Sequence, residues 1–285
     1  CRTGNTRELR MNVVTLYENR TERKDLKAGH GLSLHIETGH ARILLDTGKD
    51  AAFARNAACL GIDLAAVDRC VLSHGHDDHG GGLAAFLAAN ASAPIHHGKQ
   101  AFDRHALKLL GPFRMDIGLK PALRGNPRFR QVDTSVWLDD SLLLVTDVRG
   151  RRLMPPGNAS LERRCADGAY RMDDFAHEVS LLVRENGRDT LFCGCAHNGI
   201  LNIVEAAAAL TGRVPDQVVG GFHLMGLDPK RPKDRTYLDS LADALDKTGV
   251  SRFLTCHCSG EACTAYLAGR CDKVGEIRTG AVVTL

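Results

Sequence analysis

Aromatic residues are scarce, at 5% with a single Trp, and no apolar run approaches the roughly 20 residues of a membrane-spanning helix. This argues against an integral membrane protein. Charge of neither sign dominates: 37 Lys+Arg against 34 Asp+Glu leave +3, too weak a bias to favour a nucleic-acid footprint. Gly80-Gly81-Gly82 lacks both the Lys-Ser/Thr of a phosphate-binding loop and the spacing of a dinucleotide fingerprint. A Gly-x-Ser-x-Gly elbow is also missing, which argues against a serine hydrolase. What remains is the composition of a globular protein: 44% hydrophobic and 25% charged residues over 285 positions, enough chain to bury a large core without disulfides. The ten cysteines therefore read mostly as reduced thiols in a cytoplasmic protein whose partner is a small molecule. Oligomeric state is not legible. The chain begins with Cys1, read as a scar or a processed end of a short 1–10 extension, with lipid anchoring through Cys1 as the minority alternative.

Hydrophobic patterning predicts strands at 11–16, 32–38 and 41–46, the last two forming a hairpin at Gly39-His40, then a helix over 50–60, a strand over 70–73 and a helix over 81–91. Between 96 and 176 the pattern weakens among Gly, Pro and Arg, which reads as a loop-rich insertion containing strand patterns at 136–138 and 142–145. After it the first layout returns: a hairpin of 179–184 with 190–193, a helix over 200–210, a strand at 218–219, a helix over 238–246, a strand at 252–255, a helix over 261–268 and a last strand near 281–285. The expected fold is α/β, one domain over 11–285 with two sheets sandwiched between outer helices.

The strongest chemical signal is Ser73-His74-Gly75-His76-Asp77-Asp78-His79-Gly80-Gly81, placed where a strand stops and a helix begins. Three His and two Asp fall within six residues. A turn there lets His74 and His76 reach one metal position while Asp78 and His79 face another. Imidazole and carboxylate ligands suit zinc first, with manganese or iron as alternatives. Cys193, Cys256, Cys258 and Cys263 read as small buried residues in or beside strands. His35, His40, His96, His97 and His105 read as surface or loop positions.

The His-x-His-x-Asp-His pattern resembles that of the metallo-β-lactamase superfamily, and Asp46-Thr47-Gly48 is similar to that superfamily's first motif. Gly194-Cys195-Ala196-His197-Asn198-Gly199-Ile200, Gly220-Gly221-Phe222-His223-Leu224 and His257-Cys258-Ser259-Gly260 are similar to the subgroup that includes methanopterin-related dihydropterin synthases, as is His30-Gly31-Leu32-Ser33. The resemblance implies an αββα sandwich of two mixed sheets, with one or two divalent ions at its edge. It implies Asp46 supporting a ligating His from behind and His257 as the last ligand. For the middle ligand it leaves His177, Cys195 and His197 open, because Cys195 stands where most members carry Asp. Residues 195 and 197 of an extended segment point to opposite faces, so both reach one metal only if the chain turns after Gly194. The implied activity is hydrolysis by metal-activated water, with Asp78 at the reacting centre and His177 or His223 protonating the leaving group. His223 and His30 are then also substrate contacts. A phosphorylated or pterin-type substrate gripped by Arg and Lys of the insertion fits the resemblance. An iron-dependent oxidoreductase using the same cage is the alternative.

Overall fold

The computed structural model describes residues 10–285, so the expectations for Cys1 and nearly all of the 1–10 extension lie outside the described residues. Two seven-stranded sheets face each other. The first runs, in spatial order, Val282–Thr284, Asn12–Tyr17, Ser33–Glu37, Arg42–Leu45, Arg69–Leu72, Ile95–Gly98 and Phe129–Val132. The second runs Val274–Glu276, Arg252–Thr255, Gln217–Gly220, Arg188–Phe192, Ser180–Glu185, Leu142–Val145 and Val136–Trp137. In each, antiparallel hairpins give way to parallel strands joined through helices.

Strand alternation explains the layers. In Leu142–Val145, Leu142 and Leu144 point between the sheets, where they meet Leu34, Ile43, Leu45 and Val71 of the first sheet. Leu143 and Val145 point outward onto helices Ile200–Thr211 and Pro232–Asp246. Leu44, Cys70 and Leu72 of the first sheet likewise turn outward to Phe53 and Phe86 of helices Ala52–Cys59 and Leu83–Ala89. Covered on both faces, these strands read as continuous apolar runs. The result is the αββα order helix, sheet, sheet, helix. No helix among the described residues is long and apolar enough to cross a membrane.

The segment 96–176 differs from the loop-rich insertion expected of it. Its strands Val136–Trp137 and Leu142–Val145 belong to the second sheet, and Phe129–Val132 closes the first. What is added to the sandwich is a third, antiparallel sheet of four short strands: Tyr170–Met172, Leu161–Arg164, His105–Lys108 and Arg114–Asp116. Strands of three or four residues, many of them exposed, carry no apolar alternation to betray them.

Candidate metal centre

The parallel strands deliver their C-terminal ends to one edge of the sandwich, the place where α/β sheets commonly bind ligands. Asp46 follows Arg42–Leu45, the His74 segment follows Arg69–Leu72, and Cys195 follows Arg188–Phe192. His223 follows Gln217–Gly220, and His257 follows Arg252–Thr255. Asp46, Ala196, His223 and His257 all have positive φ, at 59°, 53°, 51° and 50°. Left-handed backbone is uncommon outside glycine, and here it turns the chain sharply as each strand ends. The turn at Ala196 brings Cys195 and His197 close together at this edge. Gly194 allows the approach, since a Cβ there would lie 2.0 Å from Ser73 Oγ.

Two groups of candidate ligands converge. In the first, ring nitrogens of His74, His76 and His197 lie within 4.8 Å of one another. Each of the three residues keeps Nε2 buried with no hydrogen-bond partner. Burial holds all three well below the usual imidazole range, helped by neighbouring histidines, so they are neutral and able to donate a lone pair. His74 Nδ1 meets Ser73 Oγ at 2.9 Å, and His197 Nδ1 meets Asn158 Oδ1 at 3.1 Å. Phe175 stacks on the His197 ring at 4.5 Å.

The second set comprises Asp78, His79, Cys195 and His257. His79 Nε2 is 3.1 Å from both Cys195 Sγ and His257 Nε2. Asp78 Oδ2 is 3.2 Å from His257 Nε2 and 3.7 Å from His79 Nε2. Behind this cage, Asp46 Oδ2 meets His79 Nδ1 at 2.6 Å, while the Asp46 carboxylate also accepts the Ser73 N–H and hydroxyl at 2.7 Å each. Burial opposes a charge on His79, but Asp46 and Asp78 outweigh it and lift the imidazole to about 9. Burial likewise works against the Asp78 carboxylate, and His79, His257 and His30 hold it well below its usual range. Burial pushes the Cys195 thiol up. His257 Nδ1 lies 2.8 Å from Asn19 Oδ1 and 3.2 Å from the Gly31 N–H.

Neutral imidazole nitrogens left unpaired in the interior, beside a cage of N, S and O donors each within 3.1–3.7 Å of at least one other, fit a divalent cation. His30 sits at the rim, its side chain 48% exposed and its Nε2 3.1 Å from Asp78. His223 is partly exposed, its ring 4.2 Å from that of His197 and its Nδ1 without a partner.

His177 does not join either set, contrary to its expected part as ligand or proton donor. Its ring is fully buried, Nδ1 accepts the Gly75 N–H at 2.9 Å and Nε2 meets Asp173 at 3.2 Å, so both nitrogens are committed to the protein. Three insertion arginines have carboxylate partners: Arg114 pairs with Glu162, Arg163 with Asp103 and Arg171 with Asp167. His35, His96, His97 and His105 are buried rather than superficial. Sequence reasoning missed Asn158, Asp173 and Glu178. Glu178 accepts the N–H groups of His197 and Asn198 at 2.6 and 2.8 Å, and burial raises it to about 7 despite those donors. Its place beside His177 at the start of a strand was the one available signal.

Residues 26–161 match the family model described as the metallo-beta-lactamase superfamily. The match spans a little under half of the chain, which is similar to that superfamily over this stretch. Two proteins of Methanocaldococcus jannaschii are similar in sequence. One, uncharacterised, is 27% identical over 253 residues, covering 87% of this chain and 91% of its own length. The other, named 7,8-dihydropterin-6-methyl-4-(beta-D-ribofuranosyl)-aminobenzene-5'-phosphate synthase, is 29% identical over 258 residues and is covered to 81%, as is this chain. The crystal structure of a metal-dependent hydrolase of the beta-lactamase superfamily superposes with a TM-score of 0.78 at 25% identity, covering 96% of this chain and 99% of that one. The chain thus shares its αββα sandwich, over nearly its whole length, with a hydrolase of that superfamily.

Proposed function

We propose that the protein is a metal-dependent hydrolase with two adjacent ion positions, one held by His74, His76 and His197, the other by Asp78, His79, Cys195 and His257. The observation that carries this reading is the pairing of three unpartnered buried imidazole nitrogens with a cage of mixed donors at one sheet edge. Zinc suits the N, S and O donors first, with manganese or iron(II) as alternatives. A divalent ion, when bound, makes water nucleophilic near neutral pH and polarises the oxygen under attack.

The chain's own residues supply orientation and proton handling. Asp46 fixes the His79 ring so that Nε2 faces the cage, and Asn158 does the same for His197. Asp78 presents its carboxylate between His30, His79 and His257, where it can take a proton from an incoming water. His223, with Nδ1 free beside His197, is placed to hold a proton for the leaving group or to meet negative charge that develops there. His30, exposed at the rim, contacts substrate. The relative named for a phosphorylated dihydropterin product supports a small phosphorylated or pterin-type substrate.

Elemental analysis of protein purified without chelator, paired with a screen of phosphoester, carboxyl ester and lactone substrates, tests the proposal. Zinc or manganese with ester or phosphoester turnover supports it. The thiol of Cys195, 3.1 Å from His79, favours one second reading, an iron-dependent oxidoreductase. Iron with visible absorbance and little hydrolysis selects that reading instead.

A further inference from the structure

The third sheet touches the ligand loop at a few points, and each of them lies beside His76. Gly118 bridges to His76, and the Asp77 N–H donates to the Ile117 carbonyl at 2.7 Å. Gly75 is seated so closely that a Cβ would come within 2.4 Å of the Ala101 carbonyl and 2.7 Å of His105 Nε2. From this sheet come two buried residues that the metal centre itself leaves unassigned, His105 and Asp173.

Their hydrogen bonds form a relay that ends on the peptide between His74 and His76. His105 Nδ1 lies 2.8 Å from Asp173 Oδ2, and its Nε2 lies 3.1 Å from the Gln100 carbonyl oxygen. Asp173 Oδ1 accepts the Phe175 N–H at 2.8 Å, and Oδ2 also meets His177 Nε2 at 3.2 Å. His177 Nδ1 accepts the Gly75 N–H, so its proton sits on Nε2 and is donated to Asp173. Burial works against the Asp173 carboxylate, but hydrogen bonds from His105 and His177 win and keep it ionised.

A ring nitrogen of His76 lies within 4.8 Å of His105, Asp173 and His177 without a hydrogen bond to any of them, which leaves the ring's other nitrogen for the ligand set. An imidazole that ligates through one nitrogen carries its proton on the other, and that N–H is most often given to a carboxylate, which fixes the ring and strengthens the ligand. Asp173 is the carboxylate in this group. With one oxygen on Phe175 N–H and the other shared by two imidazoles, it is clamped as an acceptor rather than free to act as a ligand.

We propose that Asp173, held by His105 and His177, is a positioning residue for His76, receiving its outward N–H when His76 ligates, so that the added sheet braces the first ligand set alone. This rests on the metal reading proposed above. The test reloads metal-free wild type, Asp173→Asn and His105→Gln with cobalt(II), then titrates each against a competing chelator while recording the visible spectrum. Asp173→Asn is expected to weaken one of the two bound ions about 10- to 100-fold and change its d–d bands, leaving the other ion at wild-type affinity. Wild-type affinity for both ions in a folded Asp173→Asn protein overturns the proposal. Equal weakening of both overturns it too, since that is the signature of general loosening. If Asp173→Asn does not fold, His105→Gln, which removes the clamp and keeps the carboxylate, is expected to weaken the same single ion, and wild-type affinity there overturns the proposal. A wild type that takes up no ion overturns the metal reading itself, an outcome distinct from the others.

Discussion

The first and second ligand sets lie side by side yet are braced by different parts of the chain. In the second, Asp46 holds His79, and Asn19 with Gly31 holds His257, so every brace comes from the two main sheets and their N-terminal loop. Its donor atoms already sit 3.1–3.7 Å apart. In the first, His74, His76 and His197 leave Nε2 unpaired in the interior, each at a cost of about 1–3 kcal/mol. The second set is organised by protein hydrogen bonds. On the proposed reading the first depends on a cation to offset what burying those nitrogens costs, so metal binding and stability would be coupled most tightly there.

Substitutions that break one set and spare the other sharpen this contrast. The largest effect is expected from His76→Ala: turnover is abolished and half the metal is lost while far-UV circular dichroism is unchanged. Full activity with full metal content in that variant would refute the proposed chemistry. Asp46→Asn retains a side chain that tolerates the left-handed backbone but loses the carboxylate behind His79. Chelator competition should show the second ion bound about 10- to 100-fold more weakly. The same set should be the more sensitive to pH. His79 is raised to about 9 and Cys195 is raised by burial, so both hold protons that binding must expel. Uptake by this set therefore releases protons and weakens as pH falls from about 9 toward 6, whereas the neutral imidazoles of the first set change little over that range. Isothermal titration in buffers of different ionisation heat reads the difference directly. Asn158→Ala removes two hydrogen bonds from His197, one at the ring and one at the backbone carbonyl, and should weaken the first ion by about 0.5–1.5 kcal/mol for the ring contact. The smallest effect is expected of His30→Ala: its half-exposed pairing with Asp78 contributes about 0–1 kcal/mol, so metal content should stay the same and any change should appear in KM.

The sandwich was legible because its strands are short, apolar and stopped by glycine or histidine, and because covered faces leave no polar alternation to confuse the pattern. The His74–His79 cluster was legible for a similar reason, as it lies within one strand–helix turn. Cys195 and His197 stayed ambiguous because strand geometry separates them; only the positive φ of Ala196, which a sequence does not announce, reunites them. His177 misled because its position before a strand matches a ligand's, while the deciding fact is a hydrogen bond to Gly75, 102 residues away. His105 and Asp173 were invisible for the same cause. Their 2.8 Å contact spans 68 residues and joins one short strand to the residue that follows another, neither strand with much periodicity of its own.

Chain order adds a consequence in time. All three ligands of the first set have been made once residue 197 is synthesised, and so have His105, Asp173 and His177. The second set waits for His257, whose ring is fixed by Gly31 and Asn19 from the opposite end of the chain. At about 5–20 residues per second, the 60 residues from 197 to 257 take roughly 3–12 s to translate. A nascent chain therefore has the residues of the first set complete seconds before those of the second.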